Sequence, residues 1–157
     1  MKGIVISKGE KYFTFLKSIF DAMGGIQTEY NWLITAHECY PQKPDYAEIL
    51  SGKYCLITGE EFTKMIYDEN FQWIWGVISA FPKNITKENI FKYPLPRAEG
   101  NNRIFQNPIT IQHPLSEIEI IAWDSSMTIF IGKNHEIVEK IIAATINEDL
   151  EEYNKKF

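Results

Sequence analysis

Apolar positions in the last third of the chain follow two periods in succession. Ile118, Ile120 and Ala122 alternate with Glu119, Ile121 and Trp123; beyond Asp124-Ser125-Ser126, Met127, Ile129 and Ile131 alternate with Thr128 and Phe130. Two period-two runs separated by three turn-forming residues predict an antiparallel hairpin. After Gly132-Lys133-Asn134 the period becomes helical. Ile137, Val138, Ile141, Ile142 and Thr145 form one stripe while Glu136, Glu139 and Lys140 point away from it, which predicts a helix over 135–146 lying on the hairpin. A further acidic turn, 148–153, closes the sequence.

Earlier in the chain, residues 3–7 read as an opening strand. Tyr12, Phe13, Leu16, Ile19, Phe20 and Met23 recur at helical spacing, predicting a helix over 10–23 that ends in a left-handed cap at Gly24-Gly25. A short strand over 31–34 and an exposed loop between Pro41 and Pro44 follow. Residues 54–57 make another short strand, and Thr58-Gly59-Glu60-Glu61 fits a capping box opening a helix whose buried face is Phe62, Met65 and Ile66. Over 71–81 both parities are apolar, with Trp73, Trp75 and Val77 on one and Ile74 and Ile78 on the other, as in a central strand. The pattern predicts a single α+β domain over 1–157: a mainly antiparallel sheet with two to three packed helices, and a C-terminal β-hairpin followed by a helix.

Periodicity fails between 93 and 108, where Pro94, Pro96, Gly100, Asn101-Asn102 and Pro108 break any regular element. Irregular stretches of more than about 12–15 residues in compact domains tend to be functional or mobile. A brief strand over 109–111 ends at Pro114. Within the irregular stretch, Tyr93, Arg97, Arg103 and Phe105 are the candidate partner-binding residues, because aromatic and Arg side chains dominate binding hot spots. The alternative is that the rings fold back onto the core as a lid.

Composition narrows the function classes. With 45% hydrophobic and 14% aromatic residues, the 157-residue chain has ample apolar surface to offset ordering entropy, which excludes disorder over its whole length. The net charge is −5 and no segment concentrates Lys or Arg, so neither nucleic-acid binding nor docking on anionic membrane is expected. The N-terminus lacks the apolar core of a signal peptide, and no run approaches the ~18 apolar residues of a membrane span. Two cysteines are too few for a disulfide scaffold, and the expected location is cytoplasmic.

Candidate chemistry is sparse. His37-Glu38-Cys39, with Cys55 downstream, gathers the soft metal-ligand types, but the paired spacings of zinc sites are missing and the bland alternative is a loop histidine beside two partly buried thiols. A thiol–imidazole pair would need Cys39 or Cys55 to meet His37, His113 or His135 in space. His113 and His135 read as structural or solvated. Asp124-Ser125-Ser126 lacks a nucleophile elbow and reads as a turn, no glycine pattern for phosphate is present, and Glu60-Glu61 and Glu151-Glu152 read as helix surface. No catalytic residue, metal or cofactor is expected.

Tyr30-Asn31-Trp32-Leu33-Ile34, Trp123-Asp124-Ser125-Ser126 with Thr128, and Glu148-Asp149-Leu150-Glu151-Glu152-Tyr153-Asn154 together resemble an uncharacterised family of small bacterial proteins, a domain of unknown function from spore-forming Gram-positive bacteria. The resemblance covers most of the chain but not 83–114. It implies a bacterial cytosolic protein and transfers no catalytic residue. The function expected is a noncatalytic intracellular protein-binding domain, immunity-protein-like in size and charge, with its contact surface on 93–108. The competing expectation is a small enzyme or small-ligand-binding domain with a pocket between sheet and helices, using Cys39, Cys55 or His113. The oligomeric state is left open.

Overall fold

The computed structural model describes residues 1–9 and 14–157. Strand β1 (Lys2–Ile6) is buried along Gly3 to Ile6 on both parities, as suits a strand with neighbours on both sides. Of the predicted 10–23 helix, residues 10–13 lie outside the described residues. Helix α1 (Lys17–Met23) starts later than the periodicity predicts, because the Thr14 carbonyl already accepts from the Trp73 amide at 3.0 Å and residues 14–16 are not helical. It ends as expected at Gly24 and Gly25, both left-handed at φ 62° and 99°.

A 3-10 turn at Ile26–Glu29 leads into β2 (Tyr30–Cys39), ten residues long where the sequence predicts only 31–34. Its periodicity is hidden by a bulge: Ala36 sits at φ 49°, and beyond it His37, Glu38 and Cys39 continue as strand rather than loop. Helix α2 (Pro44–Ile49) begins inside the predicted loop with Pro44 in its first turn, where a missing N–H removes no helical hydrogen bond. After β3 (Tyr54–Thr58), α3 (Gly59–Asp68) opens with the Thr58 hydroxyl accepting from the Glu61 amide at 3.1 Å, half of the expected capping box. Only glycine fits at 59, since a Cβ there would stand 2.2 Å from the Gln27 carbonyl oxygen.

Strand β4 (Trp73–Pro82) is central, and the short α4 (Lys87–Ile90) follows it. The predicted hairpin forms from β5 (Ile118–Trp123) and β6 (Met127–Gly132). Asp124 and Ser125 turn it with φ of 49° and 58°, and the Ser125 amide donates to the Ile74 carbonyl at 2.9 Å, fastening the tip to β4. Helix α5 (His135–Ala144) follows as predicted, and the closing acidic segment divides into β7 (Glu148–Asp149) and α6 (Leu150–Asn154).

All seven strands join in one antiparallel sheet ordered β3-β2-β4-β5-β6-β1-β7. One face carries α1, α3 and α5 over a core rich in rings, among them Phe20, Trp32, Phe62, Trp73 and Phe130. Among the described residues no long helix covers the other face. There Ala98, Ile104, Ile109 and Ile111 of the irregular segment, with Leu150 of α6, pack onto Val77, Ile121, Ile129 and Ile131. Residues 109–111 are therefore irregular chain, with Ile109 and Ile111 buried and Thr110 exposed, and not a strand. Among the described residues no helix is long and apolar enough to cross a membrane.

Candidate functional site

Strand alternation determines what lies beneath the irregular segment. Ile118, Ile120 and Ala122 of β5 point into the helix-covered core, so Glu119, Ile121 and Trp123 face the segment. Glu119 is thereby carried into the interior with no exposed surface. Its Oε2 accepts from the Gln112 amide at 2.9 Å, and the Gln112 Oε1 accepts from the Arg97 amide at 2.9 Å. The carboxylate thus ties two separate stretches of the segment to the sheet. Burial pushes the carboxyl up to about 7, against the opposing influence of the Gln112 backbone amide and side chain.

The polar groups around this clasp are not all used. Glu119 Oε1 and Gln112 Nε2 are buried without a hydrogen bond of good geometry, although the Gln112 side chain lies close enough to favour the ionised carboxyl, and the hydroxyl of Ser79, which lies opposite Glu119 in the β4–β5 register, is buried without a hydrogen-bond partner. Buried polar groups are nearly always satisfied, so these atoms are unusual for a protein interior. A cleft of about 670 Å³ opens between the segment and the sheet here, with Glu119, Gln112 and Ile131 among its lining residues and Arg97 and Arg103 at its exposed side. Its size is that of a small-molecule site.

Arg97 and Arg103 are the only arginines in the sequence. Both line this cleft, and the ion pairs among the described residues all use lysine, so neither guanidinium is committed to a carboxylate. Arg97 Nη1 rests 3.4 Å from the Glu99 carbonyl. The other two candidate partner-binding residues lie apart from the arginines. Phe105 is half-buried against Trp123 and Tyr153, and Tyr93, 40% exposed, sets its ring edge-on to His113. The segment thus folds Phe105 back against the sheet side and leaves Tyr93 partly exposed.

The histidines and thiols do not converge. His113 is fully buried, with Nε2 against the Ile90 carbonyl at 2.8 Å and Nδ1 accepting from the Leu115 amide at 3.1 Å. His37 bonds the Leu50 carbonyl at 2.8 Å, and His135 meets the N-terminal amine at 3.2 Å. Burial pushes the Cys39 thiol up to about 12, aided by nearby Cys55 and Glu38, and the Cys55 thiol up to about 11. Both are protonated at neutral pH, so alkylation of the native protein at pH 8 is expected to run on the order of 100-fold slower than that of a free thiol. Timed iodoacetamide labelling read by mass spectrometry checks this; labelling of either cysteine at the rate of the unfolded chain contradicts it. Among the described residues no three His, Cys, Asp or Glu side chains are grouped to hold a metal ion.

The sequence pattern singles out the arginines but not Glu119. The available signal was one acidic residue inside the apolar run of β5, on the parity of Ile121 and Trp123.

A family model described as "Protein of unknown function" matches residues 1–94. The match includes Tyr30-Asn31-Trp32-Leu33-Ile34, while the similar words at 123–128 and 148–154, and nearly all of the cleft, lie beyond it. No curated protein and no solved structure matches the chain.

Proposed function

We propose that this chain, which belongs to the DUF2691 family of proteins of unknown function, is a binding domain whose cleft beneath residues 94–112 takes a small anionic ligand. The observation that carries this reading is the pair Arg97 and Arg103: in a chain of net charge −5, both arginines line one cleft and neither is ion-paired among the described residues. Guanidinium groups match carboxylate and phosphate oxygens in a planar, bidentate geometry, and among the described residues no carboxylate forms an ion pair with them. Glu119 and Gln112, which line the cleft, supply orientation at its floor.

This cleft lies between sheet and irregular segment, a different place from the pocket between sheet and helices of the competing expectation. It needs no reactive thiol or imidazole. A bacterial cytoplasm is the setting proposed, by family resemblance. An immunity-like protein partner is the second reading, favoured by Tyr93 and Leu95, which stay about 40% exposed beside the cleft.

Titration with inorganic phosphate, followed by amide NMR shifts, tests the first reading. Shifts are expected at 97–102 and 110–112 and should vanish in the folded R97A/R103A variant. Shifts scattered over surface lysines, or unchanged in the variant, would refute it.

A further inference from the structure

A second concavity lies on the other side of the 3-10 turn Asn102–Phe105. It measures about 720 Å³ and shares Asn102 and Gln106 with the arginine-lined cleft, so the two are neighbours across one turn of chain. Its walls are aromatic. The Phe105 and Trp123 rings meet edge-to-face at 4.8 Å, and Tyr153 and Phe157 continue the surface. None of these four rings is fully buried.

One buried polar atom of the residues lining this groove has no partner among the described residues. The Glu151 carbonyl can only accept, so the Asn107 group 3.0 Å from it is the Nδ2 donor, which turns Asn107 Oδ1 toward Asn154. Asn154 Nδ2 donates to that oxygen at 3.1 Å. Asn154 Oδ1 is left buried and unpartnered, in a residue only 6% exposed that lines the groove. An acceptor fixed among aromatic rings suits a planar ring that carries an N–H donor. A purely apolar guest would leave that acceptor unsatisfied, and an anion would be repelled by it.

We propose that the aromatic groove is the second half of the anion site, receiving a nucleobase-like ring, so that the whole site takes a nucleoside monophosphate with phosphate at Arg97 and Arg103 and base at Trp123 and Asn154. The proposal rests on the anion-binding reading for one half only. The base half stands on the groove's own chemistry, and the shared Asn102 and Gln106 give the continuity between them.

The test titrates the parent protein with inorganic phosphate, with the common ribonucleosides, and with their monophosphates, following amide shifts and tryptophan fluorescence. A nucleoside is expected to shift signals of 105–107, 123 and 153–154 alone. Its monophosphate should bind at least ~10-fold more tightly than the nucleoside, through the effective concentration of the second contact. F105L and N154L should weaken nucleoside and monophosphate while leaving the phosphate response intact, and R97A/R103A should do the reverse for phosphate. If phosphate titrates the arginine cleft but no nucleoside reaches the groove, the second half is overturned and the anion site stands. A nucleoside that binds where phosphate does not would overturn the anion site and, with it, the joined ligand. A monophosphate no tighter than its nucleoside rejects continuity between the halves.

Discussion

Replacing His113 with Ala is expected to destabilise the protein by about 4 kcal/mol, lowering the melting temperature by on the order of 10 °C for a chain of this size. The ring is fully buried and lies edge-on to Phe81 at 4.8 Å and to Tyr93 at 5.1 Å, so its removal opens a cavity between packed aromatics. The same change strands the Leu115 amide and leaves the Ile90 carbonyl with only the long bond from the Tyr93 amide at 3.4 Å. The Ile90 carbonyl accepts from Nε2 and the Leu115 amide donates to Nδ1, which assigns the proton to Nε2 and leaves Nδ1 bare. His113 thus joins α4 to the end of the irregular segment through contacts that no other side chain among the described residues duplicates. His113→Phe keeps the volume but loses both hydrogen bonds, and should cost about 2 kcal/mol. His135→Ala, at an exposed site, should stay within about 0.5 kcal/mol. Urea denaturation of the three variants measures these differences; a His113→Ala loss below about 1 kcal/mol would show that the ring does not hold the segment.

That role was invisible in the sequence for a physical reason. Burial of His113 depends on Ile90 and Phe81, distant along the chain, and a histidine before a proline looks the same whether it is solvated or enclosed. Elements built on local period were legible: the β5–β6 hairpin, α5, the Thr58 cap and the Gly24-Gly25 stop all follow from neighbouring residues. What failed was what breaks period. The Ala36 bulge hid the second half of β2, and Thr14, paired to Trp73, delayed the start of α1. The irregular segment hid its plugs, because Ala98, Ile104, Ile109 and Ile111 reach the sheet at no fixed spacing.

The candidate site was half legible by the same logic. Arg97 and Arg103 were distinctive as residue types and could be picked from the chain alone. Glu119 required the sheet. Its parity placed it beside Ile121 and Trp123, and only the cover over that face turned an alternating acid into a buried one.

Burying that acid makes stability depend on pH in a direction opposite to ordinary acid unfolding. In the unfolded chain the Glu119 carboxyl titrates near 4.5, whereas in the folded protein it holds its proton up to about 7. Between those values the folded state binds a proton that the unfolded state has released. The contribution is therefore complete below 4.5 and is lost as pH rises through 7, a fall of about 3 kcal/mol from this one group. Asp21, held low by hydrogen bonds from Tyr67 and Lys17, and Asp68, held at about 2 by Lys64 and Tyr46, act in the other direction. Their contribution is present above the ordinary carboxylate value and is lost only toward stronger acid. The expected profile thus peaks near pH 5 and declines toward pH 8. Glu119→Gln preserves shape and an acceptor for the Gln112 amide but cannot ionise, so its stability should be level from pH 5 to 8 and should exceed that of the parent at pH 8. Denaturation at a series of pH values decides the matter, and a parent profile that is flat or rising across this window would mean that Glu119 is ionised in the folded protein at little cost. The same ionisation bears on binding. Above pH 7 the unpartnered Oε1 gains a full negative charge beneath the arginines, which favours a guest presenting an N–H donor to the floor as its anionic group meets Arg97 and Arg103, whereas a bare anion should bind better below pH 7, with Glu119 neutral.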